Sequence, residues 1–293
     1  MSHIQVTPRD CRFEGSALVC PGMELPKEER GAGRVCWFQA NGRSVFRGLV
    51  EFNGMNLLAP PRRFDPNWPE WMDRPGTDRT MLREELQMLE STNRRWGGHH
   101  LVLHHLERLL DSRRMSSLRI LDLGTGIADI PRAIVVWARR RGVPVSVLAV
   151  DGNPVVLEMA RESCRGWSEI RLEQHDLLAL PFEADSFDLV LCSLALHHFR
   201  PGDAVTILRR IQALARLGYI VNDLRRNWLA ICSMELLART VIRSRIVRHD
   251  APQSCRAAFT IHELRAMALQ AGLSNFQIKR HHAMFRMVLE GRK

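Results

Sequence analysis

The stretch Ile120 to Asp129 reads ILDLGTGIAD. Apolar residues lead into Asp122, and Gly124 and Gly126 follow two positions apart. The pattern predicts a buried parallel strand that ends in a tight turn and opens a helix near Ala128. Glycine in such a turn lets the backbone approach a ligand where a Cβ would collide. The helix start would aim free N–H groups at the same place. Crevices of this kind, at the carboxyl ends of strands in an open α/β sheet, take nucleotide-like ligands. A second apolar run, Val145 to Val150, ends in Asp151. An acid there can accept hydrogen bonds from both hydroxyls of a ribose. Its competing duty, capping the helix that starts at Pro154, can fall to Asn153 instead. The dinucleotide fingerprint G-x-G-x-x-G is broken, because Asp129 stands at its third glycine. A pyrophosphate would also be repelled by Asp122, whereas a cationic ligand without phosphate would not.

The elements that must hold these residues follow from the rest of the chain. From Leu118 onward, apolar strand patterns alternate with helical ones, which implies a parallel sheet. Strands are predicted over 118–123, 145–150, 170–174, 189–192 and 218–222, with a closing pair over 275–280 and 284–290. Helices are predicted over 128–140, 155–165, 204–214 (capped by Asp203), 228–242 and 261–271. Thr260 with Glu263 has the capping-box spacing. Arg248, His249, Asp250 and Pro252 read as a loop. Ahead of the sheet, Met81, Leu82, Glu85, Leu86, Met88 and Leu89 make a helical stripe with Asp78 as its cap. A second helix runs over 99–110. Its His99, His100, His104 and His105 read as solvated side chains, not as a metal set. Residues 59–77 are rich in Pro and Trp and read as extended, with Trp68 and Trp71 covering an apolar edge. Residues 1–60 show no sustained period and read as a poorly ordered extension, with Met55 or Met72 as alternative starts. Within it, Arg34 to Phe52 could form a hairpin around Asn41-Gly42.

Composition bounds the class. The 293 residues are 45% apolar and 25% charged, as in an ordinary globular protein. No apolar run reaches the roughly 18 residues of a membrane helix, and the first residues lack a signal pattern, so a cytoplasmic protein without a membrane span is expected. Seven cysteines without a C-x-x-C pair read as free thiols. The net charge of +10 invites a nucleic-acid reading. Only Lys27, Lys279 and Lys293 are lysines, however, and the arginines are dispersed. The charge is therefore not read as a nucleic-acid footprint.

Asp122-Leu123-Gly124-Thr125-Gly126 resembles the D/E-x-G-x-G motif of class I S-adenosylmethionine-dependent methyltransferases. Asp151, Asp176 and the string from Leu180 to His198 follow at the spacing of that family. The resemblance covers 118–293 and implies a Rossmann-like, seven-stranded, mostly parallel sheet with a C-terminal antiparallel hairpin. Helices would cover both faces, under an N-terminal helical lid from 61–117 and with a helical insertion over 224–250. It implies S-adenosylmethionine as cofactor, held by Asp122, Gly124, Thr125, Gly126, Asp151, Gly152, Asn153, Asp176, Leu177, Ser193 and Leu194. Asp176 and the Leu177 N–H would meet the adenine, and Ser193 and Leu194 would lie beside the sulfur. Arg94, Arg95 and Trp96 become lid candidates. Within the class, the chain resembles the small-molecule methyltransferases of ubiquinone and menaquinone biosynthesis. NDLRR after the fifth strand, RHD and an FT-x-x-EL helix start also resemble bacterial enzymes encoded near type III polyketide synthases.

The chemistry so implied is in-line displacement at a sulfonium methyl, in which positioning dominates. A hydroxyl or enol acceptor also loses a proton, which a base could take. His197 is the first candidate, with His198 and His249 behind it, and Asp223 could orient the acceptor. No metal is expected. The expected acceptor is a small lipophilic or aromatic molecule methylated on O or C, and the expected state a monomer or homodimer. An amino-directed nucleic-acid enzyme would carry Asn/Asp-Pro-Pro-aromatic where this chain has Ser193-Leu194-Ala195-Leu196. RNA methylation elsewhere, and a non-catalytic S-adenosylmethionine-binding regulator, remain the alternatives.

Overall fold

The computed structural model describes residues 59–293 apart from 66, 68, 69, 75, 111–115, 283 and 284, together with the backbone of four strands between 12 and 50. The chain divides into two units, Met1–Pro61 and Arg62–Lys293. In the first, β1 (Arg12–Glu14) pairs antiparallel with β2 (Ala17–Val19), and β3 (Arg34–Ala40) with β4 (Arg43–Val50). Ala40 faces Arg43, so the strands flank the Asn41-Gly42 pair as the hairpin signal predicts. The rest of 1–58, and Trp68, lie outside the described residues.

The second unit opens with a single 3-10 turn, Trp71–Asp73, and two helices, α1 (Arg79–Arg95) and α2 (Gly98–Leu110). Asp78 caps α1 as expected, accepting from the N–H groups of Thr80 and Met81. The alternating part follows: β5 (Leu118–Leu123), α3 (Asp129–Arg141), β6 (Val145–Asp151), α4 (Pro154–Ser163), β7 (Ile170–Gln174), β8 (Phe187–Ser193), α5 (Pro201–Leu214) and β9 (Ala215–Leu224). Helices α6 (Trp228–Thr240), α7 (Arg245–Ala257) and α8 (Ile261–Gln270) precede the hairpin β10 (Phe276–His281) and β11 (Arg286–Arg292). The sheet order is β10-β11-β9-β8-β5-β6-β7. Strands β5 to β9 run parallel, and β11 enters antiparallel between β9 and β10. This is the architecture that the alternation predicts.

Two cores flank the sheet, sorted by the two-residue period of its strands. Leu121 and Leu123 of β5, with Val190 and Cys192 of β8, face α5 and α8. Leu118 and Ile120, with Leu189 and Leu191, face α2 and α3. A third, smaller cluster joins Leu82 and Leu86 of α1 to Ile127 after the glycine turn and to Val156 and Met159 of α4. It sets α1 over the carboxyl ends of the strands.

Three sequence expectations need correction. The segment with Arg248, His249, Asp250 and Pro252 is helical, because Ile246, Val247 and Cys255 bury one face of α7 around its proline. Proline there removes one intrahelical bond, and tertiary burial outweighs it. Helix α5 starts at Pro201 with Arg200 at the cap position, so Asp203 lies in the first turn and does not cap. The α2 histidines are not all solvated: His105 is fully buried, paired through Nδ1 with Glu290 of β11, and its Nε2 lies 3.1 Å from that of His281. Asp188, read as a structural residue at the start of its strand, accepts from the Arg119 N–H and the Arg216 guanidinium.

Candidate active site

A cleft of about 750 Å³ lies at the carboxyl ends of β5, β6, β7 and β8. All of Asp122, Gly124, Thr125, Gly126, Asp151, Gly152, Asn153, Asp176, Leu177, Ser193 and Leu194 line it. The turn after β5 explains why glycine is needed. Gly124 has φ +67°, and a Cβ there would sit 2.6 Å from the Ala195 Cβ. A side chain would be strained by the backbone and blocked by the next loop at once. The turn is pinned by the Thr125 N–H on the Val150 carbonyl at 3.0 Å and the Ala128 N–H on the Thr125 carbonyl at 2.9 Å.

Asp151 is held from two sides, accepting from the Gly126 N–H and the Asn153 N–H, each at 3.0 Å. Asn153, not Asp151, caps α4, with its side chain accepting from the N–H groups of Val155 and Val156. Asp151 is thereby left to face the cleft. Asp176 follows the adjacent strand β7, whose next residue His175 donates its N–H to the Asp151 carbonyl at 3.2 Å, and Asp176 accepts from the Leu178 N–H at 2.9 Å. Leu194 takes a left-handed conformation, φ 55°, and donates its N–H to the Asn222 carbonyl at 2.8 Å.

The electrostatics favour a cation. Five aspartates, Asp73, Asp122, Asp129, Asp151 and Asp176, line the cleft against Arg74 and His198. Burial pushes the Asp122 carboxyl up to about 7 and raises that of Asp151. The Thr125 hydroxyl draws Asp122 the other way without closing a hydrogen bond by geometry, and burial outweighs it. Among the described residues, Asp122 Oδ1 and Ser193 Oγ are buried without a hydrogen-bond partner. Native proteins rarely leave such atoms unpaired; here they point to a ligand that supplies donors.

The catalytic candidates sit differently. His197 is buried and does not line the cleft. Its Nδ1 lies 2.6 Å from Asp223 Oδ1, and its backbone N–H donates to Asp223 Oδ2 at 2.9 Å. Asp223 is itself buried, so it touches His197 and not the cleft. His198 does line the cleft, packs 4.2 Å from the His197 ring and pairs through Nδ1 with Asp73 Oδ2 at 2.7 Å. Burial pulls the His198 pKa down, but Asp73 and Glu70 outweigh it and raise it to about 10. His249 stacks on Trp71 at 4.2 Å, pairs with Asp250 and is not part of the cleft wall. Arg62 ties this region together, since its guanidinium donates to the carbonyls of His197, Phe199 and Ala257.

Several wall residues carry no motif. Leu82, Leu86 and Leu89 of α1 roof the cleft, and Met72 and Asp73 close one side. The helical stripe on α1 was the signal for the first three; Met72 and Asp73 had none. Arg94, Arg95 and Trp96, the lid candidates, are exposed and do not line the cleft; Trp96 is 72% accessible.

Residues 120–218 match a family described as a methyltransferase domain. The malonyl-[acyl-carrier protein] O-methyltransferase of Halorhodospira halophila is 37% identical over 107 residues, 36% of this chain and 34% of the relative. The demethylmenaquinone methyltransferase of Deinococcus radiodurans is 32% identical over 85 residues, 29% of this chain and 34% of the relative. The chain thus spans about a third of the length of these relatives. Among solved structures, a putative O-methyltransferase from Nostoc punctiforme superposes with a TM-score of 0.48 at 20% identity, over 70% of this chain and 60% of that one.

Proposed function

We propose, from the premise that the chain belongs to the class I S-adenosylmethionine-dependent methyltransferases, that it methylates oxygen or carbon of a small lipophilic or aromatic acceptor. The observation that carries the reading is the cleft at the strand ends, lined by five aspartates, with its glycine turn and, among the described residues, its unpaired Asp122 and Ser193 atoms. A ligand with an ammonium and a sulfonium suits this wall, and a pyrophosphate does not. When bound, the cofactor supplies an activated methyl group. The chain's own task is to bind, to orient and to exclude water.

Each part has a residue to perform it. Asp151 would accept from two ribose hydroxyls. Asp176 and the Leu177 N–H would meet an adenine edge. Asp122 would balance positive charge near the turn. The leucines of α1 roof the cleft with apolar surface, which supports a lipophilic acceptor. Where the acceptor is a hydroxyl or enol, His198 in the wall, its pKa raised to about 10, would donate to the acceptor oxygen and orient it, and His197 behind it, fixed at Nδ1 by Asp223, would position the His198 ring. The names of the two relatives, one acting on a malonyl carrier protein and one on a demethylmenaquinone, agree with acceptors outside the nucleic acids.

Two outcomes test the reading. Affinity for S-adenosylmethionine should rise between pH 6 and 8, because the ionised Asp122 that favours a cation forms only as the pH passes about 7. A calorimetric titration series checks this, and an affinity independent of pH would detach Asp122 from the cofactor. His197→Ala should leave cofactor affinity within a few-fold and lower turnover by about 10²-fold, the cost of misplacing a positioned group, because His197 backs the His198 ring in the cleft wall. Turnover is measured with a panel of phenols, enols and quinols and a labelled methyl donor. Unchanged turnover would remove the positioning role.

A further inference from the structure

Beside the cleft, Glu70, His197 and His198 converge. Each offers a ligand atom, and the three atoms lie within 4.8 Å of one another. Glu70 and His197 are buried, 5% and 3% accessible. No hydrogen bond joins Glu70 to either ring. Instead each group is held from behind. Asp223 Oδ1 takes His197 Nδ1 at 2.6 Å, and Asp73 Oδ2 takes His198 Nδ1 at 2.7 Å. Ser254 Oγ donates to Glu70 Oε1 at 2.8 Å. Nε2 is therefore the nitrogen each ring has left, and Oε2 the oxygen Glu70 has left.

This is the arrangement in which metal-ligating histidines are found: the far nitrogen bound to a carboxylate that fixes ring and tautomer, the near one presented to the ion. The scaffold is firm. Asp250 Oδ1 and Oδ2 accept the N–H groups of Trp71 and Met72 at 2.9 and 3.0 Å, which seats the turn between Glu70 and Asp73. Arg62 fixes the carbonyls on either side of His198. Glu70 and Asp223 are buried beside the two imidazoles, and Asp73 closes the cluster on its more open side. A simple latch would need only one histidine–carboxylate pair and would leave Glu70 without purpose.

We propose that Glu70, His197 and His198 bind one divalent transition-metal ion, Zn²⁺ by preference, with an open coordination position toward the cleft. Two imidazoles and one carboxylate are a donor set suited to zinc, and three protein ligands plus one open position mark a catalytic, not a structural, site. Zinc bonds of about 2.1 Å set tetrahedral ligand atoms about 3.4 Å apart, so closing around the ion takes side-chain movement of about an ångström. His198 belongs both to the cluster and to the cleft wall and joins the two. With the ion in place the two Nε2 atoms no longer take protons, and polarisation of an acceptor oxygen passes to the cation. The proposal does not depend on the methyl-transfer reading.

The test uses the full chain, stripped with a chelator and equilibrated with buffered Zn²⁺, its metal content read by mass spectrometry. The expected result is one Zn²⁺ per chain, with affinity down at least 100-fold in His198→Ala and in Glu70→Gln. Asp73→Asn, which leaves all three ligands in place, should lose 10- to 100-fold. His104→Ala, on the exposed face of α2, should bind as the wild type does. Because a ligand variant could unfold, the wild type is also loaded with Co²⁺, whose spectrum should lack a thiolate charge-transfer band. Failure to retain one Zn²⁺, retention unchanged in both ligand variants, or a thiolate band would each overturn the site. None of these readouts involves turnover or S-adenosylmethionine, so loss of the metal site and loss of the methyltransferase reading are told apart.

Discussion

Asp151→Ala lowers the affinity for S-adenosylmethionine and S-adenosylhomocysteine by about 100-fold or more. Hydrogen bonds to a charged acceptor are worth roughly 1.5–3 kcal/mol each. A ribose diol would make two of them, and 1.4 kcal/mol is a factor of ten in affinity. The loss is compounded locally, because Asp151 also holds the Gly126 and Asn153 N–H groups and so fixes the glycine turn it faces. Asp151→Asn, which keeps one acceptor oxygen, should fall between the two. The check is a thermal-shift titration. At 100 times its dissociation constant a ligand stabilises the fold by about 2.7 kcal/mol, a shift the wild type should show and Asp151→Ala should not at the same concentration. NADH should give no shift in either protein. Stabilisation by NADH alone would reverse the reading of Asp122 and, with it, the assignment of the cofactor.

The cleft and the cluster beside it differ in how far they could be read from sequence. The cofactor-side residues follow strands, and strand ends are legible because apolar runs stop abruptly at them: the predicted bounds of β5 and β7 coincide with the observed ones. A residue at the end of a parallel strand has its position set by the sheet, so Asp122, Asp151 and Ser193 come together without any further information. The cluster of Glu70, Asp73, His197 and His198 depends instead on a Pro/Trp-rich segment whose path no periodicity records. That path is fixed by Asp250, on a helix whose proline and polar residues disguise it as a loop. His105 failed for the same reason. His100 and His104 on the same helix are exposed, but the partner of His105, Glu290, arrives from the far end of the chain. Polar residues on helices are legible only when the contact is local, and here the contacts span most of the domain.

The same buried seam gives the second large effect, a loss of stability with rising pH that Glu85 controls. Asp250 is fully buried, with both oxygens occupied by the N–H groups of Trp71 and Met72. Glu85 of α1 lies beside it. Burial, reinforced by the charge of Asp250, pushes its carboxyl from 4.5 up to about 9. The protonated form is thus favoured in the folded chain and not in the unfolded one. That contribution is complete below about pH 4.5 and is lost as the pH rises toward 9. Across the interval the unfolded chain binds one proton fewer than the folded chain, so stability falls by up to about 1.4 kcal/mol per pH unit from this group. Denaturant midpoints between pH 5 and 9, measured with a chelator present, should show the decline. Glu85→Gln keeps a donor toward Asp250 without a titrating proton and should flatten it. Asp122, Asp151 and His198 carry raised values too and add slope of the same sign, so the difference between wild type and Glu85→Gln is the quantity to read. A variant whose stability still tracks that of the wild type through pH 9 would show that Glu85 titrates freely. Asp250→Asn separates charge from scaffold. Its single acceptor oxygen can serve only one of the two N–H groups, and an unpaired buried donor costs about 1–3 kcal/mol. That variant should therefore be less stable than the wild type at pH 6, where Glu85→Gln should not be.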